Sequence, residues 1–179
     1  MHFIARRHFL AGAGATILSA PYFPALASLG DVRSLALENL HTGERLTTEY
    51  WAQGQYIPDA LAQVNHVLRD FRSGEVHAIA PNLLDLLAVL RARLETAAPF
   101  SVISGFRSPA TNAMLRGEQE HSGVASKSLH MQGMAIDIRV PGRPLAGLRD
   151  IALAARVGGV GYYPASDFVH VDVGRVRRW

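Results

Sequence analysis

The 179-residue chain contains no cysteine, and only 8% of its residues are aromatic and 18% charged. Without cysteine there is no disulfide scaffold, no thiol nucleophile and no thiolate for a metal, so any metal site must be built from histidine and carboxylate. One-sided charge is also scarce: 18 basic residues face 15 acidic ones. With 49% apolar residues, the chain is neither disordered nor collagenous, and its length suits one core of ordinary size.

Part of the basic excess sits at the N-terminus. Residues 1–27, MHFIARRHFLAGAGATILSAPYFPALA, carry no acidic residue, a paired Arg6-Arg7, an apolar Phe9 to Leu18 stretch loosened by Gly12 and Gly14, and a terminal Ala25-Leu26-Ala27. This is the layout of a secretory signal, and Arg6-Arg7-His8-Phe9-Leu10 resembles the twin-arginine export signal, which carries proteins already folded. The stretch is too short for a stable membrane span. Cleavage is expected after Ala27, leaving 28–179 as one exported domain in the periplasm, nearly neutral in charge. Arg175, Arg177 and Arg178 are then only a short basic cluster, not the broad stripe that nucleic-acid binding needs.

Two β-type runs, residues 34–40 and 45–51, flank His41-Thr42-Gly43-Glu44 and read as a hairpin. From Pro58, Leu61, Val64, Val67, Leu68 and Phe71 follow helical spacing with Gly74 beyond; from Pro81, Leu83, Leu84, Leu87, Leu90 and Leu94 do the same. A strand is expected over 100–106 and a short helix after Ser108-Pro109. A polar loop over 117–128, a strand over 134–140, a helix over 145–157 and a strand pair over 158–163 and 168–173 complete the chain. The order predicts an α+β fold, a single domain with a central antiparallel sheet flanked by helices.

Of eight histidines, His2 and His8 leave with the leader, His41, His66 and His77 read as solvent or packing residues, and His121 lies in the polar loop. His130 and His170 differ, each having a carboxylate near it in an apolar setting. Asp137 stands seven residues after His130, an odd spacing that would put the two on opposite faces of one strand, and Gly133 offers a turn that lets them converge. Asp137 is flanked by Ile136 and Ile138, so its burial demands a partner or a cation. His170 shares a strand face with Phe168 and Asp172. Two histidines and one aspartate would hold zinc and leave a fourth tetrahedral position for water, the layout of a catalytic site. A hydrogen-bonded core without metal is equally compatible with the spacing.

The segments SGFRS at 104–108, SLHMQGMAID at 128–137, and GGVGYYP through FVHVDVG at 158–174 resemble the zinc D-Ala-D-Ala peptidase superfamily, whose pattern is SxHxxGxAxD followed by a later histidine. With NLHTG at 39–43 and the closing Arg-Trp, the chain is similar over nearly its full length to the murein endopeptidase K family, which hydrolyses peptidoglycan. The resemblance implies a fold shared with the Hedgehog signalling domain, and His130, Asp137 and His170 as zinc ligands. It implies cleavage of peptide cross-links, with peptidoglycan stem peptides as partner. It offers two candidates for the base, Asp167 in a DxxH pattern and Asp172 in an HxD pattern. Asp167 is preferred because it stands at a strand entry, whereas Asp172 could instead orient His170. Arg107 would stabilise an oxyanion or hold substrate. Ser128 is left between a ligand or substrate contact and a turn cap, and His121 is not counted in the site. The alternatives are a carboxypeptidase trimming stem peptides and a non-catalytic zinc- or peptidoglycan-binding module.

Overall fold

The computed structural model describes residues 30–117 and 125–179, so the expected leader and His121 lie outside the described residues. Strands β1 (Val32–Asn39) and β2 (Arg45–Ala52) form the predicted hairpin. Its turn is closed by Asn39, whose Oδ1 accepts the backbone N–H groups of His41 and Thr42. A two-residue β3 (Gln55–Tyr56) returns along β2. Helices α1 (Pro58–Val67) and α2 (Pro81–Arg93) each start on a proline, where the missing N–H costs nothing. Then come β4 (Phe100–Ser104), α3 (Pro109–Gly117), β5 (Ala135–Arg139), α4 (Leu145–Ala155), β6 (Gly159–Tyr163), β7 (Phe168–Asp172) and a short β8 (Arg177–Arg178).

The eight strands of the described residues make one sheet in the order β3-β2-β1-β4-β5-β7-β6-β8. The α+β single-domain expectation holds, but the sheet is mixed rather than antiparallel throughout. Strands β1 and β4 pair in parallel, as do β6 and β8, while the remaining neighbours are antiparallel. Tight turns force strand reversal, whereas the passage through α1 and α2 lets β4 return in the direction of β1. Helix α1 is shorter than its apolar stripe suggested. It stops at Val67, whose carbonyl accepts from Asn39 Nδ2, and Asp70 Oδ1 then accepts from the Arg72 N–H in a turn.

The period of two along the central strands separates core from site. Ile136 and Ile138 of β5 and Val169 and Val171 of β7 are fully buried, and they belong to the same core as Leu83, Leu84, Leu87 and Leu90 of α2 and Leu148 of α4. Each such side chain contributes roughly 1.5–3 kcal/mol by leaving water. The intervening residues, Asp137 and His170, are direct cross-strand partners and therefore project together from the opposite face.

Candidate metal centre

His130 reaches that face from outside the sheet, on a single 3-10 turn, Leu129–Gln132, that precedes β5. Ser128 caps the turn, its Oγ accepting the His130 N–H at 3.4 Å, and Gly133 ends it at φ 64°. A side chain at residue 133 would collide with the Ala78 carbonyl oxygen, so glycine is required here for both conformation and space. The turn at Gly133 resolves the odd spacing between His130 and Asp137.

His130, Asp137 and His170 are 3%, 6% and 8% exposed. Three of their atoms meet: His170 Nδ1 lies 2.9 Å and His130 Nε2 3.3 Å from Asp137 Oδ1, and the two nitrogens are 3.2 Å apart. The outer nitrogens are committed elsewhere. His130 Nδ1 donates to the Gly105 carbonyl at 2.7 Å, and His170 Nε2 donates to Asp172 Oδ2 at 3.1 Å. In the neutral imidazoles both inward nitrogens therefore present lone pairs to each other and to a carboxylate oxygen. Such a trio repels itself unless a proton or a metal cation sits among it. Donors on a tetrahedral zinc with bonds of about 2.0–2.1 Å stand about 3.3 Å apart, so the donor set fits that ion in chemistry and spacing.

Without a metal, a proton on an inward nitrogen takes the place of the cation, and the pKa directions describe that protonated state. Burial pushes the Asp137 carboxyl up, but the facing imidazoles of His130 and His170 outweigh it and hold the group well below its usual range. For His170, burial works downward, and the carboxylates of Asp137 and Asp172 more than reverse it.

Arg107 is brought to the site, mostly buried, with Nη2 3.7 Å from Asp137 Oδ2. Its remaining contacts are long, 3.4 Å to Asn112 Oδ1 and 3.5 Å to Ser104 Oγ, and its buried Nε has no partner among the described residues. Burial lowers its pKa, with Asp137 opposing the shift. The guanidinium thus keeps donor capacity for a group that enters the cleft.

The two carboxylates offered as base occupy different places. Asp167 sits in the β6–β7 turn at φ 53°, its side chain 63% exposed and bound by Arg139 Nη1 at 2.8 Å; it does not line the cleft and is not brought to the three ligands. Asp172 is fully buried beside His170, but both oxygens are occupied. Oδ1 accepts from the Gly159 and Gly174 N–H groups and from Arg177 Nη1, and Oδ2 from Arg177 Nη2 as well as His170. Its position is that of a group that orients His170.

A cleft of about 170 Å³ opens over the triad, lined by Arg107, Lys127 and Ser128 and by the aromatic side chains of Tyr163, Phe168 and Trp179. The aromatic wall is no part of the SxHxxGxAxD motif pattern of the chain. Its signal lay in the alternation: Tyr163 and Phe168 are cross-strand partners two residues beyond the Gly161–His170 pair and so share the ligand face.

The family whose profile matches residues 27–179 is described as Peptidoglycan L,D-endopeptidase MepK. Among similar curated proteins, the Peptidoglycan L,D-endopeptidase MepK of Escherichia coli (strain K12) is 45% identical over 166 residues, 93% of this chain and 90% of the relative. That of Shigella flexneri matches equally, and the Probable peptidoglycan L,D-endopeptidase MepK of Haemophilus influenzae is 41% identical over 156 residues, covering 87% and 83% of the two chains. With this span of similarity, and a buried His-Asp-His cluster able to hold a metal ion, the chain belongs to the MepK family of metallopeptidases.

Proposed function

We propose that this protein is a zinc-dependent murein endopeptidase that hydrolyses an L,D peptide bond in the cross-links of peptidoglycan. The observation that carries the reading is the convergence of two imidazole lone pairs and one carboxylate oxygen at 2.9–3.3 Å, with each imidazole fixed by an acceptor on its far side. The named activity of the relatives supplies the substrate class. Two nitrogens and one oxygen suit zinc better than the harder, all-oxygen cations. When bound, zinc would supply a Lewis acid that polarises the scissile carbonyl and makes water acidic enough to attack near neutral pH.

The side chains divide the remaining work. His130, Asp137 and His170 hold the ion, and Asp172 keeps His170 in the tautomer that exposes Nδ1. Arg107 receives the charge that develops on the carbonyl oxygen, using donors its own neighbours leave weakly engaged. Residues 1–27 direct export to the compartment that holds the substrate, by the twin-arginine route suggested by Arg6-Arg7.

Purified protein is incubated with L,D- and D,D-cross-linked muropeptide dimers, with and without chelator, and the products are separated by mass. Loss of the L,D-linked dimer that stops on chelation and returns with zinc is the expected result. Release of alanine alone would instead identify a carboxypeptidase, and bound zinc with no cleavage would identify a binding module.

A further inference from the structure

Trp179 is half exposed, yet it is held on several sides. Its backbone completes the edge of the sheet, with Tyr162 N–H donating to Trp179 O at 3.1 Å and Trp179 N–H to Val160 O at 3.2 Å. Its ring lies 5.2 Å from that of His170, and the Arg177 guanidinium sits 4.9 Å from its centre. Space for the indole is made by Gly161, the direct partner of His170: a methyl group at residue 161 would come within 2.7 Å of the Trp179 ring and 2.8 Å of the Tyr163 ring. A large apolar ring fixed at the mouth of a cleft, with a glycine opposite the metal ligand to receive it, belongs to the substrate wall and not to the core.

The indole also fixes its neighbour. Trp179 Nε1 donates to the Tyr163 hydroxyl at 2.6 Å, while the Tyr163 ring is stacked on Phe168 at 4.6 Å between centres. A phenol oxygen that accepts an N–H must send its own proton elsewhere. Among the described residues none accepts it, and Tyr163 lines the cleft. The strand rise of about 3.3 Å per residue puts Tyr163 some two residues, roughly 7 Å, along β6 from the position facing His170. That is within reach of a peptide group lying over the ligands.

We infer that Tyr163 is a catalytic hydrogen-bond donor that contacts the substrate carbonyl oxygen as it becomes negative, and that Trp179 is the residue that positions it. The inference rests on the hydrolase reading above and adds a second donor to Arg107. The tyrosine keeps its proton throughout; it contributes a preorganised dipole and no bond is made or broken at its oxygen.

Tyr163→Phe preserves the ring and its stacking and removes only the hydroxyl. Its kcat on the cross-linked dimer is expected to fall about 100-fold with KM changed by less than about threefold and zinc content retained. Trp179→Phe keeps an apolar wall but loses the N–H, and its kcat is expected to fall about tenfold with zinc again retained. A Tyr163→Phe enzyme within about threefold of the wild-type kcat overturns the inference. An independent measurement uses emission from Trp179, with zinc-free protein titrated with the same dimer. A saturable change in wild type that is absent in Trp179→Phe supports contact with substrate, and unchanged wild-type emission overturns it whether or not the enzyme cleaves. Failure of the wild type to cleave any dimer refutes the hydrolase reading and leaves the emission result to decide substrate contact at this wall.

Discussion

His170 donates its Nε2 proton to Asp172 at 3.1 Å, and that single bond decides which nitrogen faces Asp137 and His130. The carboxylate is itself pinned by two backbone N–H groups and a forked contact from Arg177. A buried anion with so many donors cannot rotate away, so the imidazole is held in one tautomer and one orientation.

Replacement Asp172→Asn puts an NH₂ group where one set of donors must be accepted. Metal affinity is expected to fall by about 10–100-fold, read by competition with a chromophoric chelator. Affinity within threefold of wild type would show that His170 needs no such support.

His130→Ala removes one of three inward ligand atoms while leaving the sheet and its apolar face intact. Bound metal, measured by elemental analysis after gel filtration, is expected to drop from one equivalent to near none. Circular dichroism is expected to retain the α+β signature, because the core on the other face does not involve His130.

Asp167 is a counter-case. It is exposed and paired with Arg139, and surface ion pairs contribute little to stability. Asp167→Asn is expected to keep kcat within about threefold and melting temperature within a degree or two. A loss of 100-fold or more with metal retained would show that Asp167 leaves Arg139 during turnover and serves as the base.

Gly133→Ala forces a Cβ onto the Ala78 carbonyl at a backbone conformation that already disfavours side chains. Destabilisation of about 2–4 kcal/mol is expected by chemical denaturation, combining strain with displacement of the turn that carries His130. Loss of metal affinity is expected to accompany it.

Asp70 gives an acid-sensitive element away from the ligands. Burial raises its pKa, but hydrogen bonds from Thr111, Ser108 and Arg72 outweigh this and hold it well below the usual carboxylate range. A depressed folded-state pKa stabilises the fold fully above the unfolded value of about 3.9, and that contribution is lost as pH falls toward the folded value. In metal-free protein, the stability gap between wild type and Asp70→Asn is therefore expected to be constant above about pH 5 and to shrink below about pH 4. A gap that does not change with pH would mean that Asp70 acts through packing alone.

Much of the fold was legible because local patterns report local geometry. The hairpin over β1 and β2, the leucine stripe of α2 and the alternation in FVHVD each carry their period in the sequence, although α2 and β7 are buried on more than one face. Strands β3 and β8, two residues each, carry no periodic signal and exist because a sheet edge was available to them. The mixed sheet was equally hidden, since nothing in β4 itself states which neighbour it will meet. The DxxH spacing of Asp167 counts residues but not direction, and the turn at φ 53° leaves its side chain on Arg139.

By itself the sequence determined the ingredients: no thiol, two histidines and an aspartate in apolar surroundings, and a glycine where the chain must turn. Tertiary structure alone decided their chemistry. The Gly105 carbonyl fixes His130 from 25 residues away, Arg177 turns from a member of a basic cluster into the clamp on Asp172, and Trp179 reaches Tyr163 across 16 residues. Hydrogen bonds of this kind depend on how strands dock edge to edge, a relation between distant segments that neither segment encodes alone.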